Sequence, residues 1–231
     1  MRYDFIIVYI SGYQYGYGHE KRVSLLNSFL KKKNNKTKIL NISNFDKTLA
    51  TLNKLSKSSN KLIFDITNKN FLKKNKKILF FIKDNLIGKK YYVFDSFDIH
   101  SINKFYKKSN NISYIIPYVY KSSQKKNYFQ GLKYFLVPNT TRYIKKHINK
   151  SVYKVMISFG GSDLGNLSLK IIQKLEKFEF KKLDIKILIG KYSNFTAYEK
   201  NLESKHNITF IKTENIFRYF FWSDISFISS G

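Results

Sequence analysis

Cysteine is absent from this chain of 231 residues, and so are long apolar runs. Without cysteine, no disulfide framework, thiol nucleophile or thiolate metal site is available. No stretch approaches the roughly 18 uninterrupted apolar residues of a membrane-spanning helix. The apolar residues between Asp4 and Ser11 are also too few for the core of a signal peptide. We therefore expect a cytoplasmic protein with at most peripheral contact with an anionic membrane.

Arginine is scarce, although the formal net charge is +28. Arginine is the residue suited to bidentate contacts with phosphates and bases, so we do not expect a nucleic acid as partner. Lysine is accompanied by many Asn, Ile, Phe and Tyr residues, all of which have AT-rich codons. The base composition of the gene therefore accounts for the charge as well as selection does. A real attraction to acidic partners, such as anionic lipid headgroups, is the alternative.

Several motifs of catalytic and cofactor chemistry are missing. No histidine or acid cluster has metal-ligand spacing, and neither a Walker motif nor G-x-S-x-G occurs. The first glycine turn is not a dinucleotide fingerprint, because Lys21 stands where the third glycine would be. We expect neither a metal nor a cofactor.

Strand-like and helix-like segments alternate along the chain. The predicted strands are short and apolar on both faces, as is typical of buried parallel strands. They are Phe5–Ile10, Lys38–Ile42, Leu62–Ile66, Ile78–Ile82, Tyr91–Phe94, Ile112–Ile116, Tyr134–Val137, Val152–Ser158, Ile185–Ile189, Ile208–Ile211 and Ile225–Ile228. Two helical patterns between them have apolar faces formed by Val23, Leu26 and Leu30, and by Leu167, Ile171, Leu175 and Phe178. This alternation predicts a doubly wound α/β architecture.

Two segments share the layout of an apolar strand, a glycine-rich turn and an amphipathic helix. The first turn contains Gly16 and Gly18, and the second begins with Gly160 and Gly161. Glycines that let backbone N–H groups approach a ligand at the start of a helix create an anion site. Two such turns predict two domains that face a phosphorylated ligand.

His19 lies at the mouth of the first glycine turn, in the first turn of a predicted helix. A histidine that titrates near neutral pH can act as a general base on water or a hydroxyl; helix capping or packing is the alternative. Arg22 lies three residues later on the same helical face, where it is either a phosphate ligand or an ordinary surface arginine. The other histidines are predicted to lie at the surface: His100, His147 and His206.

Polar residues end several of the predicted strands. They are Asp65, Asp95, Asp98, Ser158 and Ser229. In open parallel sheets, ligands bind beyond the carboxyl ends of the strands, so these side chains are candidates for a site.

The second glycine turn continues through Ser162 and Asp163 to Asn166. Ser162 or Asp163 can cap the following helix. Asn166, one turn further on, has amide donors suited to a phosphate or a ribose. A plain strand-to-helix turn explains the same residues without a ligand.

Polar segments at residues 138–150 indicate a domain boundary. We predict an N-terminal domain of residues 1–145 and a C-terminal domain of residues 150–231. The sequence closes on Ser229-Ser230-Gly231 after a strand-like run, with no helix to cover that strand. We therefore expect the second domain to be incomplete.

Four ordered motifs resemble those of a known family. They are Gly16-Tyr-Gly18-His19-x-x-Arg22, Gly131-Leu-Lys-Tyr134-Phe-Leu136-Val137, Ser158-Phe-Gly160-Gly161-Ser162-Asp163-x-x-Asn166 and Ile228-Ser229-Ser230-Gly231. In this order they resemble the UDP-sugar hydrolases of pseudaminic acid biosynthesis and the related spore-coat polysaccharide proteins. Both groups are similar to two-domain glycosyltransferases of the GT-B type.

The resemblance implies two Rossmann-like domains around a cleft, with UDP held mostly by the C-terminal domain. It implies that His19 activates water to attack the anomeric carbon of a UDP-linked deoxy-amino sugar while UDP leaves. Gly16, Gly18 and Arg22 would contact the substrate, and the second glycine turn with Asp163, Asn166 and Ser229–Gly231 would contact the nucleotide. It also implies that the second domain continues beyond Gly231. We expect a monomer. The family carries a tyrosine two residues after the aspartate that ends a central strand, where this chain has Thr67.

Three other functions remain open. A glycosyltransferase would use His19 to deprotonate an acceptor hydroxyl instead of water. A non-catalytic basic protein would bind polyanions, and an inactive truncated homologue would do neither.

Overall fold

Two parallel sheets organise the chain in the computed structural model. It describes residues 2–66, 68–84, 88–94, 111–117, 126–136, 153–160, 163, 165–179, 181–192, 202–213 and 215–228. One compact unit comprises Met1–Ser11 with His19–Pro138, and the other comprises Gly12–Gly18 with Asn139–Gly231. The predicted boundary, at residues 145–150, lies outside the described residues.

The first sheet has six strands, and every pairing between neighbours is parallel. In chain order they are β1 Phe5–Tyr9, β2 Thr37–Asn41, β3 Lys61–Asp65, β4 Lys90–Phe94, β5 Ile112–Ile116 and β6 Tyr128–Gln130. Their order across the sheet is β2-β1-β3-β4-β5-β6. The order reverses at β1, whose neighbours are β2 on one side and β3 on the other. Such a reversal is the topological switch point where open α/β sheets bind ligands.

Helices connect these strands and cover the sheet. They are α1 Gly18–Lys32, α2 Phe45–Ser56, α3 Lys69–Lys74 and α4 Lys77–Asp84. On one face, Val23 of α1 packs with Ile7 and Ile63, and Leu26 and Leu30 lie against the same cluster. This contact confirms the apolar face predicted for α1.

The opposite face of the first sheet is buried as well. Ile6, Val8, Leu62 and Phe64 are fully inaccessible to solvent. A central parallel strand needs apolar side chains on both faces, which is why β1 and β3 read as nearly continuous runs of β-branched and aromatic residues.

The second sheet is parallel and has four strands, in the order β10-β7-β8-β9. They are β7 Lys154–Ser158, β8 Asp184–Ile189, β9 Asn207–Lys212 and β10 Ile225–Ile228, with helices α5 Leu167–Glu176 and α6 Phe217–Trp222. The order reverses between β7 and β10, so the glycine turn after β7 leaves the sheet at its switch point. Both sheets are compatible with Rossmann-like domains.

Two predicted strands are wrong. The run Ile78–Ile82 lies in α4, where Ile78, Phe81 and Ile82 are buried and Phe80 is half exposed, the pattern of a helix face. A short apolar run does not by itself separate a strand from a buried helix. At the predicted strand Tyr134–Val137, the chain forms a 3-10 turn, Leu132–Tyr134, after Gly131. The actual strand, β6, lies just upstream, and Val137 is outside the described residues.

The apolar face predicted for α5 is confirmed in part, since Leu175 is buried and Ile171 packs against the same cluster. Leu167 and Phe178 are exposed, whereas Ser168, Ile172 and Leu175 are buried. Ile172 and Leu175 pack against β7 and β8 through Val155 and Ile185. Leu167, the first residue of α5, and Phe178, two residues beyond its end at Glu176, share the helical spacing without facing the sheet.

His206 is buried, so its predicted surface position is wrong; His100 and His147 lie outside the described residues. Its ring is 5% exposed, and Nδ1 accepts a hydrogen bond from the backbone N–H of Leu183 at 3.3 Å. Its Nε2 is buried without a hydrogen-bond partner among the described residues. The ring thus satisfies a backbone donor at the amino ends of β8 and β9.

Replacing His206 by alanine is expected to lower the free energy of unfolding by about 1–3 kcal/mol, because the buried Leu183 N–H loses its acceptor. Urea denaturation measures the change. The matched control is Lys182→Ala, an exposed neighbour of Leu183. Equal midpoints for both variants would contradict a supporting role for the His206 ring.

No helix within the described residues is long and apolar enough to cross a membrane.

Candidate functional site

The chain leaves β1 through a glycine turn whose backbone is shaped by two left-handed positions. Gly12 and Gly16 have φ of 137° and 77° and form an isolated bridge, with the Gly16 N–H donating to the Gly12 carbonyl at 2.8 Å. A β-carbon at Gly16 or Gly18 would meet no atom within 4 Å. The positive φ explains glycine at position 16. At Gly18, where α1 begins, packing does not demand glycine, and its missing side chain leaves the backbone open to a ligand.

His19 and Arg22 lie on the first turns of α1 and meet Asp65 at the end of β3. His19 Nδ1 is 2.7 Å from Asp65 Oδ1. Arg22 donates from Nε to Asp65 Oδ2 at 2.7 Å and from Nη2 to Asp65 Oδ1 at 2.7 Å. Asp65 pairs in register with Tyr9 of β1. The cluster therefore lies at the carboxyl ends of β1 and β3, on the switch point of the first sheet.

The carboxylate at the centre of this cluster is buried. The Asp65 side chain is 1% exposed, whereas those of His19 and Arg22 are 13% and 14% exposed. Burial alone raises the pKa of the Asp65 carboxyl, but hydrogen bonds from His19 and Arg22, with their charges, outweigh it and hold the pKa below its ordinary value. Asp65 is consequently ionised at neutral pH.

This network fixes the tautomer of His19. An ionised carboxylate only accepts hydrogen bonds, so the 2.7 Å contact places the proton on Nδ1 of the neutral ring. Because Nδ1 carries this proton, it does not accept a hydrogen bond from Arg22 Nη2, which lies 3.3 Å away. The charge of Arg22 instead neutralises that of Asp65. The proton-accepting nitrogen of the ring is therefore Nε2.

Two serine hydroxyls near the turn form hydrogen bonds with groups other than His19. Ser11 Oγ accepts a hydrogen bond from Asn41, and Ser43 Oγ donates to the Ser11 carbonyl. In the described part of the chain, the hydrogen-bond contacts of His19 are confined to Asp65 and Arg22. Among the described residues, therefore, no hydroxyl contacts His19 as the nucleophile of a Ser-His-Asp triad would. A base with a fixed tautomer and no adjacent nucleophile is suited to activating a water or an external hydroxyl.

The second glycine turn has a different construction. Gly160, Asp163 and Asn166 have φ of 76°, 43° and 51°, and Asp163 and Asn166 are unusual there because L-residues seldom adopt this region. The Asp163 carboxylate accepts the backbone N–H groups of Leu167 at 2.9 Å and Ser168 at 3.1 Å. This confirms that Asp163 caps α5. Two of the amides that could bind an anion are therefore used within the chain.

The structure describes only part of the site predicted for the nucleotide. Gly161 and Ser162, and Ser229, Ser230 and Gly231 after β10, lie outside the described residues. Gly160 and Asn166 lie at the carboxyl end of β7, beside the switch point of the second sheet.

The residue that sequence reasoning missed is Asp65 as the partner of His19. It was noted as a polar residue that ends a strand, but nothing local connected it with α1. No group of three or more histidine and acidic side chains in the described ranges could hold a metal ion. The assignment of this site depends on its own geometry, since neither a family model nor a curated protein matches the chain.

Proposed function

We propose that the chain is a nucleotide-sugar hydrolase that releases UDP from a UDP-linked deoxy-amino sugar of surface-glycan biosynthesis. The observation that carries this proposal is the Asp65–His19 contact at the switch point of the first sheet, which leaves Nε2 as the proton-accepting nitrogen of the ring. The substrate class in this proposal comes from the order of the four motifs, which resembles that of UDP-sugar hydrolases.

In the proposed reaction, each residue of the cluster has a separate role. His19 Nε2 accepts a proton from water, and the water oxygen forms a bond to the anomeric carbon of the sugar. The bond between that carbon and the pyrophosphate oxygen breaks, and its electron pair leaves with UDP. Asp65 stabilises the imidazolium that forms, and Arg22 balances the carboxylate before the proton arrives.

In this proposal the second unit binds the nucleotide. Backbone N–H groups at Gly160 and the amide of Asn166 are suited to the pyrophosphate and ribose, in a fold with two Rossmann-like domains of the GT-B type. Preorganised donors of this kind stabilise charge that develops on a leaving pyrophosphate. Asp163 is excluded from direct phosphate contact here, because its carboxylate would repel the anion and caps α5 instead.

Incubation of the protein with a panel of UDP-linked amino sugars, with UDP release followed by chromatography, tests this function. We expect release in the absence of any acceptor. Release that requires an added acceptor would identify a transferase instead. If UDP is not released under either condition and does not raise the melting temperature, the protein lacks this activity and the proposal is overturned.

A further inference from the structure

Four lysines converge on the edge of the first sheet opposite the His19 site. Lys61 and Lys90 are the first residues of β3 and β4 and are partners in the register of the two strands. Lys57 directly follows α2, and Lys89 directly precedes β4. We call these four residues the lysine edge. Because β3 and β4 are parallel, the lysine edge lies at their amino ends, while Asp65 lies at the carboxyl end of β3.

The lysine edge holds like charges close together. Lys89 Nζ donates to the Ser56 carbonyl at 2.9 Å, and burial, followed by the charge of Lys57, lowers the pKa of Lys89. Lys61 Nζ lies 4.9 Å from the centre of the Phe5 ring. In the described ranges, none of the four lysines forms an ion pair. Positive charge is thus concentrated at this edge without a carboxylate partner.

The end of α1 extends this positive surface toward β2. Lys31 and Lys32 occupy the last turn of α1, and Lys33 and Lys36 follow before β2 begins. Acidic side chains here are few: Asp4, which accepts the backbone N–H of Lys36, and Asp84 at the end of α4. Phe29 is 55% exposed one turn before Lys33, whose N–H bonds to the Phe29 carbonyl. An exposed aromatic ring beside lysines is the combination that peripheral proteins use at a bilayer surface.

We propose that the amino-terminal edge of the first sheet, formed by the lysine edge and the end of α1, binds the surface of an anionic lipid bilayer. Lysine is a point charge that attracts anionic headgroups without directional contacts. A nucleic acid is favoured less, because Arg2, just before β1, is the one arginine among the described residues of this edge, and lysine does not make bidentate phosphate contacts. Bound in this way, the protein keeps the carboxyl ends of β1 and β3, and with them His19, on the side away from the lipid.

The test is cosedimentation of the whole chain with vesicles of phosphatidylcholine, with and without phosphatidylglycerol. We expect binding only to the anionic vesicles, weakened by added salt because the charges are exposed. The triple variant Lys57→Gln, Lys61→Gln, Lys90→Gln should bind about 100-fold more weakly. The matched control removes the same charge from α5 of the second unit and from the residue that follows it, by Lys170→Gln, Lys174→Gln and Lys177→Gln, all exposed.

The control variant distinguishes binding by the lysine edge from attraction by the net charge of the whole protein. Binding that falls equally in both triple variants would show attraction by net charge alone and overturn the proposal. Single-stranded RNA that displaces the vesicles and requires the same lysines would assign the edge to nucleic acid and also overturn it. Phe29→Ser should weaken vesicle binding, because the exposed ring inserts at the boundary between headgroups and acyl chains. UDP release plays no part in these measurements, so their outcome is independent of the proposed hydrolase.

Discussion

Replacing His19 by alanine is expected to lower kcat for UDP release by about 10²- to 10⁴-fold, the usual contribution of a positioned general base. KM should change little, because the ring acts on the attacking water and not on the nucleotide. The loss follows from Nε2 being the ring nitrogen that accepts the proton while Asp65 holds Nδ1. Steady-state kinetics with a UDP-linked amino sugar measures both constants.

The control for this variant is Ser24→Ala, an exposed position further along α1. It changes the same helix without touching Asp65, and it should keep full activity. His19→Ala should remain folded, because Arg22 still occupies both carboxylate oxygens of Asp65. A His19→Ala protein with normal kcat would show that His19 is a packing residue, which is the alternative that its position in a helix allows.

Local sequence was sufficient to predict where His19 lies. A run of β-branched residues from Phe5, a glycine turn and an amphipathic helix form one continuous strand-turn-helix unit. Each of these features depends on neighbours in the chain, so periodicity and turn chemistry identify them. Most of the predicted strands agree with the structure for the same reason.

The partnership of His19 with Asp65 was beyond such reasoning. The two residues are 46 positions apart, and their contact requires β3 to lie directly beside β1. Strand order in a parallel sheet depends on how helices pack over both faces, which the pattern of one strand does not encode. The burial of His206 was not predictable for the same reason. Its neighbours in sequence are polar, whereas its burial depends on the packing of β8 beside β9.

Asp65→Asn is expected to have the second large effect, on activity and on stability together. An amide in place of the carboxylate no longer fixes the Nδ1 proton and does not stabilise an imidazolium, so kcat should fall by about 10³- to 10⁴-fold. The Arg22 guanidinium, 14% exposed, also loses its counter-ion. Breaking a buried pair on one side costs about 3–5 kcal/mol of the free energy of unfolding.

A double variant separates these two roles of Asp65. Asp65→Asn with Arg22→Gln removes the unpaired charge, so part of the lost stability should return. Activity should not return, because Nδ1 still lacks its carboxylate. Recovery of kcat in the double variant would show that the carboxylate serves only to pair Arg22, and that His19 needs no positioning residue.

The pH dependence of stability provides an independent measure of the same carboxylate. Since the pKa of Asp65 in the folded protein is below its ordinary value, its ionised form is favoured by folding. The stability it contributes is full above the unfolded pKa of about 3.9 and disappears as the pH falls through the folded value. Urea midpoints of the wild type and Asp65→Asn should therefore differ most near neutral pH and converge in acid. A difference that stays constant down to the acid range would contradict this. It would mean that the wild type loses stability in acid through other carboxylates and that His19 and Arg22 do not hold Asp65 ionised.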